Sequence, residues 1–127
     1  MITEDFVSFE IAKLLKENGF DEECSCFYDN IDYGTPGLEV DGQLYYKNSA
    51  LDDEEYAAPT LQMAMKWLRE KYNIFICILF LEEYDGYGYT IENIVKKNYI
   101  ATSRNSSYKE LEEACKVAIK YCLENLI

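Results

Sequence analysis

No histidine occurs anywhere in the 127 residues. That absence excludes a Ser-His-Asp triad, a Cys-His dyad and any histidine-ligated zinc or haem. Long hydrophobic runs are missing too. The longest, Ile74–Leu81, is far too short to span a bilayer. The acidic start, Met1 through Asp5, leads into no signal-peptide core, so a cytoplasmic chain is expected. Bases are few, 12 against 24 acids, giving a net charge of −12. Such a chain is poorly suited to direct contact with nucleic acid or an anionic membrane. Neither a Walker loop nor a dinucleotide fingerprint is present.

Cysteine is present in an odd number, five, and without a secretion signal these read as free thiols. Cys24-Ser25-Cys26 lacks the CxxC spacing of redox and zinc motifs. Cys115 and Cys122 fall seven apart, on the apolar face of a predicted helix, where cysteine serves as a small hydrophobe. No cofactor and no metal are expected.

The hydrophobic fraction of 49% is that of a folded protein, and the length suits a single α+β domain over 1–127. The charge is concentrated. Residues 21–58 hold eleven acids and one base, Lys47, whereas the remainder is nearly balanced.

Spacing predicts a helix over 4–18, capped by Thr3 and stopped by Gly19, with Val7, Ile11, Leu14 and Leu15 inward. Short strands are expected at 24–28 and 43–46, in a segment whose glycines and Pro36 favour turns. A second helix should open near Pro59, with Leu61, Ala64, Met65, Leu68 and Tyr72 as its stripe. Ile74–Leu81 reads as a central strand. Asp85-Gly86 signals a two-residue hairpin that sets Phe80 opposite Ile91 and Ile76 opposite Val95, with 99–102 extending the sheet. Ser107 and Glu110 suggest a capping box for a last helix whose stripe is Leu111, Cys115, Ala118, Ile119, Cys122 and Leu126. The order α-β-β-α-β-β-α implies a two-layer α+β fold, an antiparallel sheet with three helices mainly on one face.

Three stretches, residues 4–15, 58–69 and 112–126, together resemble an uncharacterised family of short proteins from gut Bacteroides-type bacteria and their phages. The resemblance covers the helices and carries no catalytic residues. It implies a small accessory protein, phage- or mobile-element-borne.

Apolar residues off the helical stripes are the next feature. Phe6 and Phe9, and the i,i+4 pair Met63 and Trp67, either pack between neighbouring helices or form an exposed patch for an oligomer or partner. One face of the predicted sheet, with Phe75, Cys77, Leu79 and Leu81, is either covered by 29–58 or meets another subunit, with cover the favoured alternative. Tyr45 and Tyr56 lie among the carboxylates, a composition common in binding surfaces.

The run Asp52, Asp53, Glu54 and Glu55 reads as a solvated face, because adjacent carboxylates diverge. The expectation is therefore a non-enzymatic interaction or regulatory protein. It would bind a protein partner, form a homo-oligomer, or both, through its acidic, tyrosine-bearing segment. One version is an acidic mimic of nucleic acid. A carboxylate-dependent, metal-binding hydrolase using Asp29, Asp32, Asp41 and Glu92 is the alternative from another class. A small-ligand binder using tyrosines around the hairpin is a third.

Overall fold

In a computed structural model the structure describes residues 2–29, 37–40, 45–103 and 106–127. Helices and antiparallel strands alternate as an α+β fold. The strands form two three-stranded sheets rather than the one expected, and the chain divides into two compact units, Met1–Thr60 and Leu61–Ile127.

In the first unit, helix α1 spans Phe9–Glu17. Thr3 is not its cap. Residues before it run extended, with Val7 N–H donating to the Pro59 carbonyl at 3.0 Å and Phe6 bridging Thr60. That pairing holds residues 4–8 out of the helix, and Ser8 becomes the cap, its Oγ accepting from Ile11 N–H. At the other end Gly19 takes a left-handed φ of 87°, as expected. Gly19 and Phe20 N–H groups return to the Lys16 and Leu15 carbonyls, a Schellman closure that sends Phe20 into the core.

Strands β1 (Cys26–Asp29), β2 (Gly37–Val40) and β3 (Glu55–Ala57) come next, with β1 central. The expected strand at 43–46 lies partly outside the described residues, while Tyr46 bridges Cys24 through two backbone hydrogen bonds. Asn48, in a short 3₁₀ turn, is buried and bonded through both ends of its amide. Its Nδ2 donates to the Phe20 carbonyl, and its Oδ1 accepts from Ala57 N–H, both at 2.8 Å.

In the second unit, helix α2 spans Leu61–Tyr72. Strands β4 (Ile74–Leu81), β5 (Gly86–Asn93) and β6 (Asn98–Thr102) form the sheet in that order, and helix α3 spans Leu111–Asn125. The hairpin register differs from the expectation by four residues. Phe80 faces Tyr87, and Ile76 faces Ile91. A four-residue connection, 82–85, replaces the two-residue turn, and only Asp85 is left-handed. Gly86 belongs to the strand for another reason. A Cβ there would meet the Tyr108 carbonyl oxygen at 2.9 Å, because Tyr87 and Tyr108 bridge through their backbones. An even shift keeps each side chain on its face, so Ile74, Ile76 and Ile91 still build the core. Val95, expected opposite Ile76, falls instead in the β5–β6 turn and is exposed. There Asn93 Oδ1 accepts from the Val95 and Lys96 N–H groups.

The capping box at Ser107 does not form. The Tyr108 bridge holds that stretch extended, and α3 starts with Glu110 as a cap lacking a side-chain bond. Its buried stripe rotates to Ala114, Cys115, Ala118, Ile119, Cys122 and Leu123, leaving Leu111 exposed. Both α2 and α3 pack on this sheet and on each other.

Candidate functional site

The division of the chain is also a division of charge. Fifteen of the acids and three of the bases precede Leu61, so the first unit carries the whole −12. The second has nine of each and is electroneutral.

Within the first unit the acidic run is displayed by its own backbone. Lys16, in the last turn of α1, reaches the loop before β3 and donates from Nζ to the Asp52 and Glu55 carbonyl oxygens, both at 2.8 Å. Glu55 Oε1 accepts from Asp52 N–H, and Glu55 N–H donates to the Asp52 carbonyl. Carbonyls, not carboxylates, therefore hold the lysine. Asp52, Asp53 and Glu54 are exposed, whereas Glu55 is half-buried and shapes the loop. Lys16 is a residue that spacing alone did not single out. Its only signal was its place at the helix C-terminus, where a cation complements the helix dipole. Nearby, Ser49 donates its N–H to Asp21 Oδ1 at 2.7 Å and holds that carboxyl below its ordinary pKa.

The aromatic anchors separate. Phe9 stands edge-on to both Tyr28 and Tyr56, which face each other across β1 and β3, at 5.8 and 5.4 Å between ring centroids. Tyr28 donates its hydroxyl to the Val7 carbonyl, and the Lys16 ammonium lies 5.2 Å from the Tyr56 ring. Phe9 and Tyr56 thus knit the unit together, and Phe6 is half-buried beside its Thr60 bridge. Tyr45 stands out, 72% exposed. On α2, Trp67 is only 8% exposed and packs edge-on against Tyr72, so it is no exposed anchor; Met63 lies at the surface. The α2 core stripe turns toward Trp67 and away from Met65, which is half-buried.

In the second unit a groove of about 680 Å³ is lined by Tyr89, Thr90, Tyr99, Ile100, Ala101, Thr102 and Tyr121. A β-bulge between Ile91 and Glu92 breaks the alternation of β6, so consecutive residues 99–102 share the groove. Burial pushes the Tyr89 phenol up, and Tyr108, Tyr121 and Cys122 add to the shift. Phenols and threonine hydroxyls give a lining with no carboxylate or ammonium group, which offers stacking and hydrogen bonds.

Among the described residues, no group of three or more Cys, Asp or Glu side chains is placed to hold a metal ion. Asp32 and Asp41, half of the alternative carboxylate set, lie outside the described residues. Nor, among the described residues, is any helix long and apolar enough to cross a membrane.

All five cysteines are free, and four of them are buried. Burial pushes the Cys24 and Cys122 thiols from 9.0 up to about 12, with Cys26 and Glu22 adding to the effect at Cys24. Burial also raises the phenols of Tyr28 and Tyr89. An unfolded thiol ionises first, so this stability is fully present below pH 9 and is lost as pH rises toward 12. The loss is about 1.4 kcal/mol per pH unit for each thiol. Urea midpoints measured from pH 7 to 10.5 should hold level and then fall steeply above pH 9. A level profile throughout would contradict the burial of these thiols.

No protein-family model, no curated protein and no solved structure matches the chain.

Proposed function

We propose that the protein is a non-enzymatic accessory or regulatory protein whose acidic first unit engages a basic surface on a partner protein. The observation that carries this reading is the charge partition. The whole −12 resides in Met1–Thr60, and Asp52, Asp53 and Glu54 project from a loop fixed by Lys16 and Glu55. A fixed loop lowers the entropy lost on binding, and concentrated charge accelerates encounter with an opposite field. Exposed Tyr45 supplies rigid contact area in the same unit. That this accessory role is borne on a phage or mobile element is part of the proposal, as the resemblance of the three helical stretches implies.

Zero-length carbodiimide coupling tests this reading, because it joins a carboxylate only to an amine in contact with it. Cross-links to partner lysines should map to Asp52, Asp53 and Glu54. Cross-links confined to α3 carboxylates such as Glu112 and Glu113 would remove the proposal.

A further inference from the structure

The two edges of the β4-β5-β6 sheet are built differently. Strand β6 is short, five residues, carries a bulge, and is led by the charged pair Lys96 and Lys97. Those are the devices by which proteins stop an edge from pairing with another chain. Strand β4 has none of them. Its eight residues contain no charge, proline, glycine or bulge, and their ladder with β5 is unbroken. Among the described residues no strand pairs with its outer edge, so a row of backbone donors and acceptors is left there. Phe75, Leu79 and Phe80 are exposed along it.

We infer that the outer edge of β4 is the pairing edge of a homodimer, in which β4 of one copy adds antiparallel to β4 of a second to make a continuous six-stranded sheet. Charge permits this occupant. The unit that bears β4 is electroneutral, so the only net repulsion a second copy meets comes from the first units, and salt screens it. Sequence supports the same choice. With a two-fold axis at Cys77, Phe75 meets Leu79 of the second copy and Ile76 meets Ile78. With the axis at Ile78, Phe75 meets Leu81 and Cys77 meets Leu79. In both registers apolar faces apolar, side chains keep their faces, and no charge is buried. Only β4, of the two edges of this sheet, lacks such guards, and a two-fold pairing uses that edge up, so association closes at two copies.

This inference is independent of the acidic-surface proposal and responds oppositely to salt. Sedimentation equilibrium of the full chain over 1–100 µM should give twice the 14.8 kDa chain mass at the upper end, and 0.5 M sodium chloride should leave that value unchanged or favour it. Leu79→Lys places a charge on the exposed edge and should return the monomer mass with an unaltered circular dichroism spectrum. Should that variant unfold, hydrogen exchange on the wild-type chain decides. Amides of β4 should gain protection at least tenfold on going from 1 to 100 µM, while those of β6 stay constant. A wild-type monomer at 100 µM, a ladder of larger species, or β4 exchange independent of concentration would each overturn the inference.

Discussion

Replacing Phe20 by alanine should cost about 3–5 kcal/mol, a large fraction of the 5–15 kcal/mol that holds a typical domain folded. The side chain is 1% exposed, so its removal leaves a cavity and forfeits transfer energy together. Its position makes relaxation difficult. The backbone of Phe20 is fixed by its N–H bond to the Leu15 carbonyl, and its own carbonyl receives the Asn48 amide. Neighbouring chain therefore cannot slide inward to fill the void. Urea denaturation followed by far-UV dichroism would report the loss as a fall in midpoint at unchanged slope. A loss below about 1 kcal/mol would mean that the Schellman closure and the aromatic side chain are not joined in one packed site.

Asn48→Leu is the second large effect, expected at about 2–5 kcal/mol. The asparagine serves one donor and one acceptor inside the first unit, and leucine strands both the Phe20 carbonyl and the Ala57 N–H. Each buried group left unpaired costs about 1–3 kcal/mol. Asn48→Asp separates this account from simple loss of volume. Aspartate keeps the acceptor for Ala57 N–H but turns an anionic oxygen toward the Phe20 carbonyl. The folded state would then favour the protonated acid, raising its pKa. Stability of that variant should be full below the ordinary carboxyl range and decline as pH rises through neutrality. Thermal midpoints of Asn48→Asp at pH 4.5 and 7.5, compared with wild type at each pH, measure it. Equal deficits at both values would contradict the hydrogen-bond assignment.

Long periodic elements were legible in the sequence because a single interaction determines them. Strand β4 was readable to the residue, since an unbroken apolar run has one way to be buried. The stop of α1 at Gly19 was readable because few residues tolerate its φ. Errors arose where a long-range pairing overrode a local signal. Thr3 and Ser107 are good caps in isolation, but the Val7–Pro59 bond and the Tyr87–Tyr108 bridge hold those stretches extended. Asp85-Gly86 is a good turn locally, yet Gly86 is needed where the Tyr108 carbonyl crowds β5. Strand β3 was hidden behind its acidic prefix, because three residues give too short a period to see. Of the candidate surface, exposure of Asp52, Asp53 and Glu54 followed from adjacency alone. What fixed them did not, since Lys16 lies 36 residues away and binds carbonyls. Trp67 was left open between burial and exposure because Leu61, Ala64 and Leu68 fit two helix rotations, one that buries Met65 and one that buries Trp67. The concentration of charge in 21–58 was visible from the start, but its meaning changed once the chain divided. The acidic unit ends at Thr60, and residues 61–127 are electroneutral.

The central claim is that this acidic unit, through its fixed loop, recognises a basic partner. Quantitative affinity capture with the full chain tests it most directly, comparing wild type with the triple variant Asp52→Asn, Asp53→Asn, Glu54→Gln, which leaves Lys16 and Glu55 in place. The prediction is a basic partner retained by wild type at 50 mM salt, reduced at least tenfold by the triple variant, and released from wild type at 0.5 M salt. An identical captured set for both proteins, insensitive to salt, would contradict it.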